Sequence, residues 1–344
     1  MLKKTWCESA PPGVSSGRNM TGFKHEMRRV SPSRVILAID GAAGRRVDRG
    51  WCGAGRSASS VLLVAGLLAW VVGCASVGQG QSPTANQPWT IVQMCDPQFG
   101  MVDYAADASR FDQAVTQINA LKPDFVFICG DLVNKPNRRS LGDFLAAKAK
   151  FQMPCYCAPG NHDVRDLPTA QSLALYRDVM GRDYFSVEQG DSVFVFVNTQ
   201  LWKVEVPGES DRHDAWFRAT LETAAAQGRR LFVIGHIPVF SMTPDEPDGH
   251  DNLPIRKRRE VLELCHRCGV QAYLAGHSHR TRRTDYFGME IVQSETTSLN
   301  FDFHPYGFRL WHVGATPPYT NEFVLLRWSA SATHTNLPAP AEQP

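Results

Sequence analysis

The 344-residue chain has almost no excess of either charge: 36 Lys and Arg stand against 34 Asp and Glu, a formal +2. That balance supplies no global field to draw the protein onto nucleic acid. The chain also lacks an unbroken apolar run long enough to span a bilayer comfortably. The candidate, Val61–Val72, is a dozen residues long, where a helical span takes about 20. There is no internal repeat, and the nine cysteines include no two pairs at zinc-finger spacing. A 43% hydrophobic content excludes the disordered and fibrous classes and suffices for one large core or two ordinary domains.

Charge is uneven locally. Residues 1–60 hold eleven Lys or Arg against four acids, and they lead into the apolar run 61–72. A positive segment before a short apolar one fits a secretory signal. The run ends in Val71-Val72-Gly73-Cys74, which resembles the bacterial lipobox, where the Cys is lipidated and becomes the new N-terminus. An ordinary signal peptide or a buried helix is the alternative. Residues 1–73 therefore read as a basic leader plus signal peptide. The Gly- and Arg-rich stretch 1–55 carries no folded element, so translation is expected to start later, at Met27 or at a non-AUG codon near Val47. Residues 74–88 are a tether rich in Ser, Gln, Gly and Pro, 89–328 form the domain, and 329–344 are a disordered tail. The expectation is an exported protein, held to the membrane of a cell envelope through a lipid on Cys74.

From Trp89 short apolar runs alternate with longer helical ones. Strands are expected at Trp89–Cys95, Asp124–Cys129, the run into Cys157, Ser192–Val197, Arg230–Ile234 and Val270–Ala275. The helices between them are Asp107–Leu121, Leu141–Phe151, about 168–180, Asp211–Gln227 and Arg256–Cys268. The first is marked by Phe111, Val115, Ile118 and Leu121 at helical spacing. After Ala275 the pattern turns to strands alone, at Met289–Val292, Phe308–Val313 and Phe323–Trp328. Alternation followed by a β-rich end predicts an α/β domain of mixed sheets flanked by helices. Cys95, Cys129 and Cys155 fall within strand patterns, where a free thiol is a small core hydrophobe. Cys265 and Cys268 resemble a redox or zinc pair in spacing, but they stand at a helix end and are read as packing residues.

Polar clusters close five of these strands: Asp96-Pro97-Gln98, Gly130-Asp131, Gly160-Asn161-His162-Asp163, Gly235-His236 and Gly276-His277-Ser278-His279. Ligands collect at the C-terminal ends of strands in α/β folds. Asp163 aside, the clusters offer two carboxylates, two amides and four histidines, a set of oxygen and nitrogen donors suited to Mn, Fe or Zn rather than a thiolate site. In an extended segment His277 and His279 would point the same way, each toward one of two neighbouring ions. Arg280, Arg282 and Arg283 follow them on a loop and either hold phosphate oxygens or stand solvated. Trp202, His213, His250, Phe301 and His304 are placed on loops able to rim the site.

Taken in order, the clusters resemble the calcineurin-like metallophosphoesterase superfamily across about 90–315. Asp96-Pro97-Gln98-Phe99-Gly100, Asn198-Thr199-Gln200, His236-Ile237-Pro238 and His304-Pro305-Tyr306-Gly307-Phe308-Arg309 are similar to its calcineurin-like phosphoesterase domain-containing protein 1 branch. The resemblance implies a sandwich of two mixed β-sheets flanked by helices. It also implies that Asp131 bridges two metal ions, with Asp96, Gln98 and His279 completing one site and Asn161, His236 and His277 the other. His162 matches the proton-donating His, and Gln200 joins Arg280 and Arg282 as substrate-binding candidates. Most of the superfamily has His where this chain has Gln98. In its protein phosphatases an Asp three residues past the bridging Asp orients the catalytic His and an Arg follows; here Asn134 and Lys135 stand there.

The implied activity is hydrolysis of phosphate esters, phosphomonoesters foremost, on a small molecule or a phosphoprotein. Two divalent or trivalent ions would clamp the phosphoryl group and activate water, while His162 protonates the leaving alkoxide. A phosphodiesterase is the neighbouring alternative. A surface lipoprotein that merely binds phosphate or metal is the alternative from another class, and it has no use for His162.

Overall fold

A computed structural model describes residues 88–314 and 319–327. Cys74, the apolar run before it and the tail after Arg327 lie outside the described residues. In chain order the elements are β1 (Trp89–Met94), α1 (Tyr104–Leu121), β2 (Phe125–Ile128), α2 (Arg138–Lys148), β3 (Cys155–Cys157), α3 (Asn161–Val164) and α4 (Ala170–Met180). Then come β4 (Phe185–Gln189), β5 (Ser192–Phe196), α5 (Gln200–Lys203), α6 (Glu209–Ala226), β6 (Arg230–Ile234), α7 (Ile255–Arg267) and β7 (Val270–Ala275). The last four are β8 (Arg282–Tyr286), β9 (Met289–Gln293), β10 (Gly307–Val313) and β11 (Tyr319–Leu325).

They form two sheets. The first runs β11-β10-β1-β2-β3 and the second β4-β5-β6-β7-β9-β8. Both are mixed: β1, β2 and β3 are parallel, as are β5, β6, β7 and β9, while β10, β11, β4 and β8 pair antiparallel. Because side chains alternate faces along a strand, each inner strand feeds two cores. Ile91, Phe125, Phe127, Phe194, Phe196, Phe232, Ile234 and Leu274 point between the sheets. Val92, Met94, Val126 and Ile128 point outward under α1, α2 and α4. Val193, Val195, Leu231 and Val233 do the same under α6 and α7. Burial on both faces explains the continuous apolar runs of the sequence. The intersheet layer is knit by aromatic pairs, among them Phe194 stacked on Phe232 at 5.0 Å and Phe185 on Phe196 at 4.6 Å, each worth about 0.5–1.5 kcal/mol beyond its buried area.

The cysteines pack as expected: Cys95 and Cys129 lie between the sheets, Cys265 on the buried face of α7, and Cys155 and Cys268 at core edges. Among the described residues, no helix is long and apolar enough to cross a membrane.

Several bounds differ from the sequence expectation. Helix α1 starts three residues early because the Asp103 carboxylate accepts from Ala106 N at 2.9 Å and caps it. Strand β11 lies four residues before its expected start, since pairing of Val313 with Tyr319 and of Gly307 with Leu325 sets its register. Arg282 opens β8 instead of lying in a loop. Trp202 and His213 sit on helices α5 and α6, both buried, and do not rim anything from a loop.

Candidate metal centre

All the proposed ligands leave the C-terminal ends of strands, and the backbone there is bent hard. Asp96, Gln98, Asp131, His277 and His279 have φ of +46°, +37°, +50°, +69° and +51°. Left-handed backbone costs a non-glycine residue on the order of 1–3 kcal/mol and persists where surrounding structure enforces it. The glycines before the ligands serve a related end. A Cβ on Gly160 would overlap the Asp131 carboxylate, and one on Gly276 the Asp96 carboxylate. Chain and carboxylate thus approach more closely than any larger residue allows.

The carboxylates are fixed by neighbouring backbone. Asp131 Oδ1 accepts from His162 N at 2.9 Å, and both Asp96 oxygens accept from His277 N at 3.1 Å. The amides are aimed by their nitrogens: Asn161 Nδ2 donates to Asp166 Oδ1 at 2.8 Å and Gln98 Nε2 to Asn134 Oδ1 at 3.3 Å. That turns Asn161 Oδ1 toward His236 Nε2, 2.9 Å away. It leaves Gln98 Oε1 buried with no hydrogen-bond partner.

Each site histidine is anchored by one ring nitrogen on a backbone carbonyl. His236 Nδ1 faces Cys129 O at 2.7 Å, His277 Nε2 faces His250 O at 3.1 Å, and His279 Nδ1 faces Leu299 O at 2.6 Å. His162 Nδ1 faces Asn134 O at 2.9 Å. A carbonyl only accepts, so these nitrogens carry the proton and the other nitrogen of each ring is left with its lone pair, the arrangement of metal-binding imidazoles.

The free nitrogens converge on oxygen. His236 Nε2 is 3.2 Å from Asp131 Oδ1 and 3.1 Å from His277 Nδ1, and His279 Nε2 is 3.4 Å from Asp96 Oδ1. The ligand atoms of Asp131, His236 and His277 lie within 4.8 Å of one another, as do those of Asp96, Asp131 and His279. Asp131 is common to both sets. Around His236 Nε2 stand three acceptors, and a single proton there satisfies one of them; a cation in their midst satisfies all. The charges agree. Burial raises the Asp96 carboxyl. Burial raises Asp131 too, but His236, His162 and His277 outweigh it and hold that carboxyl well below the usual range. Burial works against a charged His236, yet Asp131 and Asp96 push it up to about 10. With no cation, the site recruits a proton as its positive charge. The donor set, the orphaned Gln98 oxygen and the anchored rings all fit metal ions.

Three expectations are corrected here. His277 and His279 do not lie in an extended segment: their left-handed backbone sends one ring to His236 and the other toward Asp96. The Asn134 side chain does not orient His162. Its backbone carbonyl does, while its amide spans Gly100 O at 2.9 Å and Gln98. His304 turns away, its ring edge-on to Phe323 at 4.7 Å.

The substrate-binding candidates are variously placed. Arg280 is engaged with Asp251 at 3.7 Å and lies 5.7 Å over the Phe301 ring. Arg282 is held in β8, where it pairs with Gln293. Gln200 is buried, its Nε2 donating to Arg165 O at 3.3 Å and Asp166 O at 3.2 Å, behind Asn161.

Sequence reasoning missed three supports. Asp163 ties two ligand loops together by accepting from Leu132 N at 2.9 Å and Gly160 N at 2.8 Å. Its place in the Gly-Asn-His-Asp cluster was a visible signal. The carbonyls of His250 and Leu299 had none. The His250 carbonyl sits on the 241–253 loop, which Arg258, fully buried, holds through Leu253 O, Pro244 O and Glu246 O, and to which Lys203 Nζ donates at Gly249, His250 and Asn252.

A family profile described as calcineurin-like phosphoesterase matches residues 90–281. The chain belongs to that family. Hydrolysis of phosphoric esters is accordingly its chemistry. It is 30% identical over 254 residues to serine/threonine-protein phosphatase CPPED1 of Rattus norvegicus and 29% identical over 253 residues to that of Bos taurus, covering 66% of this chain and 81% of theirs in each case. Of solved structures it is similar to GAP50, the anchor in the inner membrane complex of Plasmodium, with a TM-score of 0.51 at 14% identity over 70% of this chain and 85% of that one. The latter likeness speaks to the fold alone.

Proposed function

We propose that the chain is a dinuclear metal-dependent phosphomonoesterase in which His162 gives the proton to the leaving alcohol. The observation that carries this reading is the sharing of Asp131 by two ligand sets whose free donors have no other way to be satisfied together. Asp96, Gln98 and His279 would hold one ion, and Asn161, His236 and His277 the other, with Asp131 between. When bound, two such ions, of Mn, Fe or Zn, supply charge neutralisation for the phosphoryl group and acidify water.

The protein's own part is orientation and proton transfer. His162 sends its backbone N–H to the bridging carboxylate and its Nδ1 to Asn134 O, so the ring is held beside Asp131 with Nε2 left over. Once Nε2 also carries a proton, a ring so placed can pass it to a leaving oxygen. The test is turnover of a panel of phosphomonoesters, phosphodiesters and phosphopeptides by the protein loaded in turn with Mn, Fe or Zn. Monoesters should lead. A diester preference would overturn the monoesterase assignment, and absence of any turnover across all loadings would reduce the site to a binding site.

A further inference from the structure

Beside the first ligand set a loop presents two phenylalanines to solvent, and nothing in the fold needs them there. Phe301 is 45% exposed and stacks on the His279 imidazole, ring centroids 4.9 Å apart at 25°. Phe303 is 95% exposed, with φ of +62°. That conformation suits Gly or Asn and is strained for a large aromatic residue. A fully exposed Phe gains no burial to offset the strain, so the fold itself is poorer for having it.

The loop is nonetheless rigid. Phe301 N donates to His279 O at 2.8 Å, Thr281 N to Asp302 Oδ2 at 2.7 Å and His304 N to Asp302 Oδ1 at 3.1 Å. Asn300 Nδ2 closes it onto His304 O at 3.0 Å and Pro305 O at 3.2 Å. It is clamped to the very segment that carries His279. The nearby guanidinium of Arg280 lies over Phe301 and against Asp251, so it is shared out before any substrate arrives. On this side the site is bordered by Phe301, stacked on the His279 ring, and Phe303 stands two residues further along the same clamped loop.

Resting on the phosphoesterase reading above, we infer that Phe301 and Phe303 bind the organic part of the substrate, which is a phosphate ester of an apolar alcohol rather than of a sugar or a second anion. A chain lying along the two rings would bury one side of each methylene. At up to about fourfold per fully buried methylene, that is roughly twofold each here.

The experiment is calorimetric binding to the manganese-loaded protein of ethyl-, butyl- and hexylphosphonate, whose C–P bond is not hydrolysed, with inorganic phosphate as control. Affinity should rise about 16-fold from ethyl to hexyl, about twofold for each added methylene. Phe303→Asn should reduce that rise to about fourfold or less; because Asn accepts the left-handed backbone and no packing is lost, this variant should fold at least as stably. A series that is flat in the parent, or equally steep in Phe303→Asn, overturns the inference while phosphate binding stands. Failure of phosphate itself to bind overturns the phosphoesterase reading and this inference with it. A dimer lost in Phe303→Asn together with a flat series would assign the surface to a second copy of the chain instead.

Discussion

The two sheets contribute to the site in different chemical currencies. The first supplies every candidate oxygen donor, Asp96 and Gln98 after β1, Asp131 after β2 and Asn161 after β3, together with His162; the second supplies only imidazoles, His236 after β6 and His277 and His279 after β7. The difference extends to how each donor is held. A carboxylate takes its anchoring hydrogen bond from a backbone N–H of the next ligand segment, as Asp131 does from His162 and Asp96 from His277. An imidazole must offer one nitrogen inward and fix the other from outside, so His277 and His279 lean on carbonyls of separate loops, at His250 and Leu299. The oxygen half is held by the ligand segments and by Asn134 and Asp166, which follow them closely in sequence. In the nitrogen half His236 leans on Cys129 at the end of β2, while His277 and His279 depend on distant loops and the side chains that brace them.

The comparison can be broken at its centre first. Asp131 belongs to both ligand sets, so Asp131→Asn should remove both metal ions and abolish turnover. Two equivalents per chain by elemental analysis of that variant would refute the shared role. The next effect separates chemistry from ligation within the oxygen half. His162→Ala should cost about 10²–10⁴ in kcat/KM on an alkyl phosphate and little on an aryl phosphate with an acidic leaving group, with metal content unchanged. Equal losses on both esters would strip His162 of the acid role.

The smallest effect sharpens the contrast between halves. Lys203 reaches the loop carbonyls on either side of His250 and at His250 itself. Lys203→Met should loosen the His277 ring at His250 O while its backbone N–H stays on Asp96. Metal titration should then show one of two ions weakened about tenfold, the low end of what loss of such a support costs, and the other unmoved. Uniform weakening of both would deny that the halves are braced independently.

How much of this was legible in the sequence follows the same division. Inner strands buried on both faces announce themselves as apolar runs, and β6 and β7 match their expected bounds. The candidate ligands stood out because glycine precedes Asp131, Asn161, His236 and His277 at strand ends. Edge strands β4 and β8 were missed: Phe185-Ser-Val-Glu-Gln and Arg282-Arg-Thr-Asp-Tyr bury only one face, partly, and carry charge on the other. Helices α3 and α5, four residues each, are too short for a 3.6-residue period to show. Side-chain direction at His277 and His279 depended on backbone strain that no residue type announces. The anchoring carbonyls were invisible for a simpler reason, since every residue has one.

The order of strands in the first sheet has a consequence for how the molecule comes into being. β1 pairs with β2 on one side and on the other with β10, Trp89 opposite Val313, and β10 in turn with β11. A nascent chain still short of Gly307 already holds every candidate ligand, but it has β1 as a bare edge, and the buried Glu295 still awaits Arg309. Such an edge is a template for wrong pairing, and contacts this distant in sequence form late. Ribosomal synthesis therefore delivers the candidate ligands before the scaffold that aligns them.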